Sequence, residues 1–246
     1  VMPAQKGMRY FIEYMMTSEK PEEYINAIFK ADEFMYKSGT VAIADIANTT
    51  VSKPVKKQSK IRYHTFAEIT GLKSEMASKR ITHIKKVAAD FNESGLSVSI
   101  TPHAPYSVSP GLWELLQQEI NPNQILSIHN QESMAENEMF SHGKGELIDL
   151  FKKLDIIDEY WRQTGQTSLQ SLPLYVHKNP LLLIHNTFTK LNDINYLKQK
   201  REAKTGWVLC PASNEQIMGT FPDIELLEKA DFPIMLGTDS AASGAS

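Results

Sequence analysis

Residues 75–109, EMASKRITHIKKVAADFNESGLSVSITPHAPYSVS, contain a helix, a strand and a polar segment in that order. The spacing of apolar residues predicts a helix in the first half, and the run that begins LSVSIT predicts a strand that continues into a loop. The same alternation recurs along the chain. We predict seven strands separated by helices. The other six lie in the segments TVAIADIA, IRYHTFAEIT, ILSIHNQES, LLLIHNTF, GWVLCPASN and FPIMLGTDS.

The order of these elements predicts an α/β fold. Strands that alternate with helices of this length pair in parallel, and near-continuous apolar strands are buried on both faces. An open doubly wound sheet and a (β/α)8 TIM barrel both satisfy this pattern. A barrel needs an eighth strand, which we expect before Val1, and a last helix, which we expect after Ser246. Residues 1–246 contain no linker, so we expect a single barrel domain that is incomplete at both ends.

The composition restricts the partners of the protein. Its 246 residues are 41% hydrophobic and 22% charged, with a formal net charge of -3, which offers no basic surface for nucleic acid. No apolar run is long enough to indicate a membrane span. We therefore expect a small-molecule substrate, no nucleic acid and no membrane partner. The single cysteine, Cys210, and the lack of a signal-peptide pattern favour a cytoplasmic location.

Polar residues follow five of the predicted strands at their carboxyl ends. In a parallel barrel these positions meet at one mouth, where the catalytic residues of such folds lie. A histidine at a strand end is held rigidly and can present a ring nitrogen to a metal or a substrate. The five are His103, His129, His185, Asn214 and Asp239. The remaining histidines, His64, His83, His142 and His177, are predicted to have structural or surface roles.

Five short motifs around these residues resemble the amidohydrolase superfamily. They are PHAPYSVS (102–109), HNQES (129–133), HNTF (185–188), CPASN (210–214) and GTDS (237–240), in the order and approximate spacing of that family. The resemblance covers nearly the whole chain. It is closest to the single-metal aminohydrolases, which include cytosine, guanine, S-adenosylhomocysteine and aminodeoxyfutalosine deaminases and triazine chlorohydrolases.

The resemblance implies a role for each motif residue. It makes His129 and Asp239 ligands of one divalent metal, most simply Zn²⁺, with Fe²⁺ or Mn²⁺ as alternatives. A bound Zn²⁺ can lower the pKa of water from about 15.7 to about 7, and Asp239 can also accept a proton from that water. Glu132, three residues after His129, corresponds to the acid that shuttles protons. Without the neighbouring motifs, Glu132 would be interpreted as a first-turn helix carboxylate.

Three further roles follow from the same resemblance. His185 orients the water or polarises the leaving group, His103 contacts the substrate, and Asn214 shapes the substrate pocket or holds its loop. The family also carries a His-x-His motif at the end of its first strand, and no His-x-His occurs in this sequence. We expect that motif to belong to the strand before Val1; without it, the metal site would lack ligands.

These features predict a metal-dependent hydrolase of C–N bonds other than peptide bonds, which deaminates a heterocyclic or nucleoside-like amine. Two alternatives remain. The same barrel could displace chloride from a triazine-like ring, or an inactive barrel could serve as a ligand-binding or assembly scaffold. A homodimer is possible. A Ser-His-Asp hydrolase is not indicated, because the sequence contains no G-x-S-x-G elbow.

Two other segments have open interpretations. Residues 135–170 could form a lid or a subunit contact, or an elaborated crossover whose aromatic residues pack on the barrel. The lysine-rich segment 53–60, KPVKKQSK, is interpreted most simply as a solvated loop beside the mouth, with a role in holding an anionic substrate as the alternative.

Overall fold

The computed structural model describes residues 5–17, 24–176, 178–240 and 243. His177 lies outside this part of the chain. The helices are α1 (Gly7–Thr17), α2 (Tyr24–Lys37), α3 (Lys53–Gln58), α4 (Ala77–Glu93), α5 (Pro110–Glu119), α6 (Met134–His142), α7 (Glu146–Lys153), α8 (Ser168–Ser171), α9 (Leu191–Lys200), α10 (Pro211–Met218) and α11 (Ile224–Glu228). The strands are β1 (Ala42–Ala47), β2 (Arg62–Ile69), β3 (Ser97–Pro102), β4 (Leu126–Asn130), β5 (Leu181–His185), β6 (Thr205–Leu209) and β7 (Ile234–Leu236).

The strands are parallel, and spatial neighbours follow the order of the chain. β1 to β3 form one hydrogen-bonded sheet and β4 to β7 form another. Further hydrogen bonds join β3 to β4. The backbone N–H of Ser127 donates to the hydroxyl of Thr101 at 2.9 Å, and that hydroxyl donates to the carbonyl of Ser127 at 2.6 Å. The carboxyl ends of neighbouring strands therefore lie side by side from β1 to β7.

The predicted α/β fold and its seven strands are confirmed. Within the described residues β1 does not pair with β7, so the barrel is not closed there. These two strands are also less buried than the sequence analysis predicted, with Ile46 42% exposed and Leu236 79% exposed. An edge strand lacks a neighbour on one side, which explains why its apolar side chains remain accessible.

The main core lies between the strands and helices α4 and α5. Buried residues of α4 recur every three or four positions, as expected for a helix that packs one face on a sheet. They are Ala77, Ile81, Ile84, Val87 and Phe91. Helix α5 begins at a capped N-terminus: the hydroxyl of Ser109 accepts from the backbone N–H of Leu112, and Pro110 occupies the first turn.

The segment from 135 to 170 packs on the rest of the structure. Met139, Phe140 and Phe151 are buried in a second apolar cluster that includes Tyr106. Trp161 packs edge-on against Phe140, with 6.1 Å between ring centroids. These contacts agree with the interpretation of an elaborated crossover. The contact of this cluster with Tyr106 ties the crossover to the PHAPYSVS motif.

The lysine-rich segment differs from its predicted form as a solvated loop. Its first part is helix α3, and Lys56 is only 5% exposed. The ammonium group of Lys56 lies 2.6 Å from a carboxylate oxygen of Asp45 and donates to the hydroxyl of Thr65 at 2.7 Å. The ion pair with Asp45 joins α3 to β1, and the hydrogen bond to Thr65 joins it to β2. A buried ammonium group needs such charged or polar partners.

Candidate active site

Three histidines form a row along the carboxyl ends of β3, β4 and β5. His103 follows β3 directly, His129 is the second-last residue of β4, and His185 is the last residue of β5. The backbone N–H of His129 donates to the carbonyl of His103 at 2.8 Å, and Asn130 pairs with His185 in the next ladder. The centroid of the His129 ring lies 4.8 Å from that of His103 and 5.4 Å from that of His185. The parallel register of the strands thus brings His103 and His185, which are 82 positions apart in the sequence, into the same row.

Potential metal ligands in this row fall into two groups of three side chains. In each group, one ligand atom from every residue lies within 4.8 Å of the others. The first group is Glu68, His103 and His129, and the second is Glu132, His185 and Asp239. Imidazole nitrogens and carboxylate oxygens are suitable donors for Zn²⁺, Fe²⁺ and Mn²⁺. The donor set therefore fits a divalent metal.

Glu68 was not among the predicted site residues. It lies near the carboxyl end of β2 and is 9% exposed. Its Oε1 is 3.8 Å from Nδ1 of His129. The sequence does contain one signal for Glu68, an acid near the carboxyl end of an apolar strand. Glu68 lies outside the five motifs, which is why it was not predicted.

His185 is held from both sides of its ring. Its Nδ1 lies 2.9 Å from Oδ1 of Asn214, and its Nε2 lies 3.6 Å from Oε2 of Glu132. The Nδ2 of Asn214 donates to the hydroxyl of Thr187 at 2.8 Å. This orientation of the amide leaves Oδ1 to accept a hydrogen bond from Nδ1–H of His185.

Asn214 differs in position from its place in the predicted strand GWVLCPASN. The strand ends at Leu209, and Asn214 lies on α10, which begins at Pro211. The side chain is 0% exposed. Its direct contact is thus with His185, and its predicted role in shaping a substrate pocket would act through that ring.

Glu132 lies in the connection between β4 and α6 and is 6% exposed. Its backbone N–H donates to Oε2 of Glu136 at 3.2 Å, which fixes the start of this connection. Burial raises the pKa of Glu132, His185 lowers it, and Asp239 raises it further. A carboxyl group with a raised pKa can both donate and accept a proton closer to neutral pH.

Asp239 receives hydrogen bonds from two serine hydroxyls. Ser213 and Ser243 each donate to its Oδ2 at 2.7 Å. Desolvation raises the pKa of Asp239, but His185, His129 and the two hydroxyls outweigh it, and the net pKa is lowered. The ionised carboxylate is the form that binds a metal.

The rings of His103 and His129 are neutral imidazoles near neutral pH. Burial lowers the pKa of His103 to about 4, with opposing effects from Asp239 and His185. Burial, followed by the neighbouring His103, lowers the pKa of His129 to about 4. A neutral imidazole keeps one nitrogen lone pair, which metal binding requires.

Several residues of the site have left-handed backbone conformations. The φ values are 47° for Gln131, 72° for His185, 51° for Asn186 and 54° for Asp239. Such conformations are unfavourable for residues other than glycine and cluster at functional sites. Here they occur where the chain leaves β4, β5 and β7, and they direct the turns that carry the polar side chains.

All six residues predicted for the site lie in or directly behind this one cluster. His103, His129, His185, Glu132 and Asp239 present their side chains to it, and Asn214 lies behind His185. Their roles as ligands, proton carriers or substrate contacts remain predictions. No helix in the described part of the chain is both long and apolar enough to cross a membrane.

Comparison with known proteins shows the family of this chain. Over 172 residues, the chain is 31% identical to aminodeoxyfutalosine deaminase from Deinococcus radiodurans, covering 66% of this chain and 40% of that protein. The structure of Helicobacter pylori aminofutalosine deaminase in complex with methylthio-coformycin has a TM-score of 0.75 at 22% identity, over 92% of this chain and 55% of that one. Atrazine chlorohydrolase from Arthrobacter aurescens TC1, complexed with zinc, has a TM-score of 0.65 at 12% identity, over 98% and 56%.

The chain spans 40% of the curated relative and little more than half of these two solved structures. At such identities the two solved structures establish the fold alone. The model of the amidohydrolase family, by contrast, matches residues 7–246, nearly the whole sequence. The chain belongs to the amidohydrolase family.

Proposed function

We propose that this chain carries the active site of a metal-dependent aminohydrolase that deaminates a heterocyclic or nucleoside-like amine. The observation that carries the proposal is the second donor group, in which a buried acid, Glu132, lies beside His185 and Asp239. This group combines an acid that can transfer protons with Asp239, one of the two proposed metal ligands. The similarity to a deaminase from Deinococcus radiodurans supports the same reaction class.

The metal would be held by His129 and Asp239, with His185 beside them. Zn²⁺ suits this nitrogen and oxygen donor set, and Fe²⁺ or Mn²⁺ would also be compatible. When bound, such an ion supplies Lewis-acid chemistry and a water molecule that ionises near neutral pH. Neutral His129 and ionised Asp239 are in the protonation states that this binding needs.

The side chains of the site divide the proton transfers between them. Asp239, already ionised, accepts a proton from the attacking water. Glu132, with its raised pKa, donates a proton to a ring nitrogen of the substrate as water adds to the adjacent carbon. The same carboxyl group then takes up the proton of the added hydroxyl group and delivers it to the departing ammonia, and the proton held by Asp239 returns to Glu132. His185 is held by Asn214 and presents its Nε2 towards these groups.

The remaining parts of the proposal concern the substrate and its surroundings. His103 contacts the substrate at the edge of the row, and the net charge of -3 favours a small molecule over nucleic acid. A cytoplasmic location and pairing into a homodimer remain predictions.

A substrate panel with two product assays tests the function. The protein is purified without added metal, its metal content is measured by plasma mass spectrometry, and it is then incubated with purine, pyrimidine, nucleoside and chlorotriazine substrates. Release of ammonia together with bound metal is the expected result. Release of chloride alone would favour the chlorohydrolase reaction. The absence of metal and turnover, even after reconstitution with Zn²⁺, would overturn the proposal and favour an inactive scaffold.

A further inference from the structure

Two of the three histidines in the row are anchored through the same ring nitrogen. Nδ1 of His185 bonds Oδ1 of Asn214 at 2.9 Å, and Nδ1 of His103 bonds the hydroxyl of Ser107 at 2.7 Å. The hydroxyl of Ser107 also donates to the carbonyl of Ala104 at 3.1 Å, so its oxygen is left to accept from His103. In both rings Nδ1 carries the proton, and Nε2 keeps its lone pair.

His129, the middle ring of the row, has a different neighbour at Nδ1. Oε1 of Glu68 lies 3.8 Å from this nitrogen, and the Glu68 side chain is buried. Among the described residues, no side chain makes a hydrogen bond to the His129 ring, and Glu68 is the acid that faces its Nδ1. The two nitrogens of an imidazole lie on different edges of the ring. A ring that turns Nδ1 towards Glu68 therefore leaves Nε2 for another partner.

We propose that Glu68 is a positioning residue, which holds His129 as the Nδ1–H tautomer and so leaves the Nε2 lone pair free for the metal. The metal in this inference rests on the proposed function, whereas the tautomer of His129 can be measured without it. A carboxylate that accepts from the second nitrogen of a metal-binding histidine fixes the tautomer and orientation of the ring and raises its basicity. The separation of 3.8 Å is roughly 1 Å longer than such a hydrogen bond, so the proposal requires the carboxylate of Glu68 to move closer to the ring.

Two other roles for Glu68 make different demands on the same ring. If Glu68, His103 and His129 bound a cation together, the nitrogen of His129 that faces Glu68 would have to be unprotonated. If Glu68 contacted only the substrate, its removal would change neither the His129 tautomer nor the affinity for metal. The protonation of Nδ1 therefore distinguishes these roles from positioning.

The first test reads the tautomer directly in metal-free protein. The chain is labelled with ¹⁵N-histidine, and two-bond ¹H–¹⁵N correlations are recorded at pH 8, where imidazole is neutral. A His129→Gln variant assigns the signals. We expect the Nδ1–H form in the wild type, its loss in Glu68→Leu, and its retention in Glu68→Gln, whose amide oxygen can still accept. Glu75→Gln, at an exposed position seven residues further along the chain, is the matched control and should leave the spectrum unchanged.

An Nε2–H tautomer in the wild type would overturn the inference, and so would an unchanged tautomer in Glu68→Leu. If Glu68→Leu does not fold, the His129 tautomer in the wild type and in Glu68→Gln still decides whether Glu68 positions the ring.

The second test measures affinity for Zn²⁺ by chelator competition in the same variants. Loss of the carboxylate should weaken binding by about 10- to 100-fold, with a smaller loss in Glu68→Gln and none in Glu75→Gln. Unchanged affinity in Glu68→Leu would overturn the positioning role. If the wild type binds no Zn²⁺, the proposed function fails, whereas the tautomer measurement still decides whether Glu68 orients His129.

Discussion

Oε2 of Glu132 lies 3.6 Å from Nε2 of His185, where the chain leaves β4 and β5. The opposite edge of the His185 ring is occupied by Asn214. Nε2 is therefore the nitrogen that can act on a substrate together with Glu132. Because neither residue is more than 6% exposed, water competes little for this pair. The arrangement separates two tasks, proton transfer by Glu132 and orientation by His185, which substitutions can distinguish.

Replacement of the acid by its amide should remove turnover and leave metal binding intact. Glu132→Gln keeps the shape of the side chain but cannot transfer a proton, so we expect kcat to fall by about 10²- to 10⁴-fold. Metal content should remain equal to that of the wild type. Glu138→Gln, at an exposed position on α6, is the control and should retain activity. Wild-type turnover in Glu132→Gln would exclude Glu132 as the proton carrier.

Removal of the predicted ligand His129 should abolish both metal and turnover. His129→Ala deletes the ring at the centre of the row, and the remaining donors no longer form the predicted ligand pair with Asp239. Plasma mass spectrometry and the ammonia assay measure the two losses. His142→Ala removes an exposed histidine at the end of α6 and should change neither. Full metal content in His129→Ala would show that other residues are the ligands.

Removal of the amide behind His185 should reduce both stability and catalysis. Asn214→Ala leaves Nδ1 of His185 and the hydroxyl of Thr187 without their present partner. We expect the free energy of unfolding to fall by about 1–3 kcal/mol. Urea unfolding measures this loss, and Asn192→Ala, on the exposed face of α9, is the control. Unchanged stability and kcat in Asn214→Ala would contradict an orienting role.

The buried carboxyl group of Glu136 should make stability depend on pH. Burial raises its pKa from 4.5 to about 7, although hydrogen bonds from Ser168 and from backbone N–H groups oppose the shift. Because the folded-state pKa is the higher one, the unfolded chain loses this proton first, and stability decreases as pH rises from 4.5 to about 7. The loss amounts to about 3 kcal/mol at most.

Comparison with Glu136→Gln isolates this contribution. The free energy of unfolding of the wild type, measured in urea between pH 4.5 and pH 7.5 and expressed relative to Glu136→Gln, should fall across the range around the shifted pKa. The free energy of unfolding of the control Glu138→Gln should change with pH in the same way as that of the wild type. A difference between the wild type and Glu136→Gln that is flat, or that increases with pH, would contradict the assignment.

Much of the fold was predictable because its signals are local. Each strand is a short apolar run, each helix repeats its apolar residues every three or four positions, and Ser109 with Pro110 marks the start of α5. Parallel strands place their carboxyl ends together. The meeting of His103, His129 and His185 could therefore be inferred from three separate strands.

Two predictions were wrong where the three-dimensional environment of a residue, and not its neighbours in the sequence, decides its conformation or burial. The sequence CPASN was interpreted as part of a strand, although Pro211 occupies the first turn of α10, a position that proline favours. Lys56 was interpreted as a solvated residue because its neighbours in the sequence are lysines. Its burial depends on Asp45 and Thr65, which belong to two other elements.

The sequence by itself determined the alternation of strands and helices, the family and the residue types available for chemistry, because these depend on periodicity and on short motifs. The tertiary structure alone decided that His103 and His185 are anchored through Nδ1, that Glu68 faces His129, and that Asn214 lies behind His185. These contacts join residues that are between four and 61 positions apart, and only the register of the parallel strands and the packing of α10 bring the distant ones within a few ångströms.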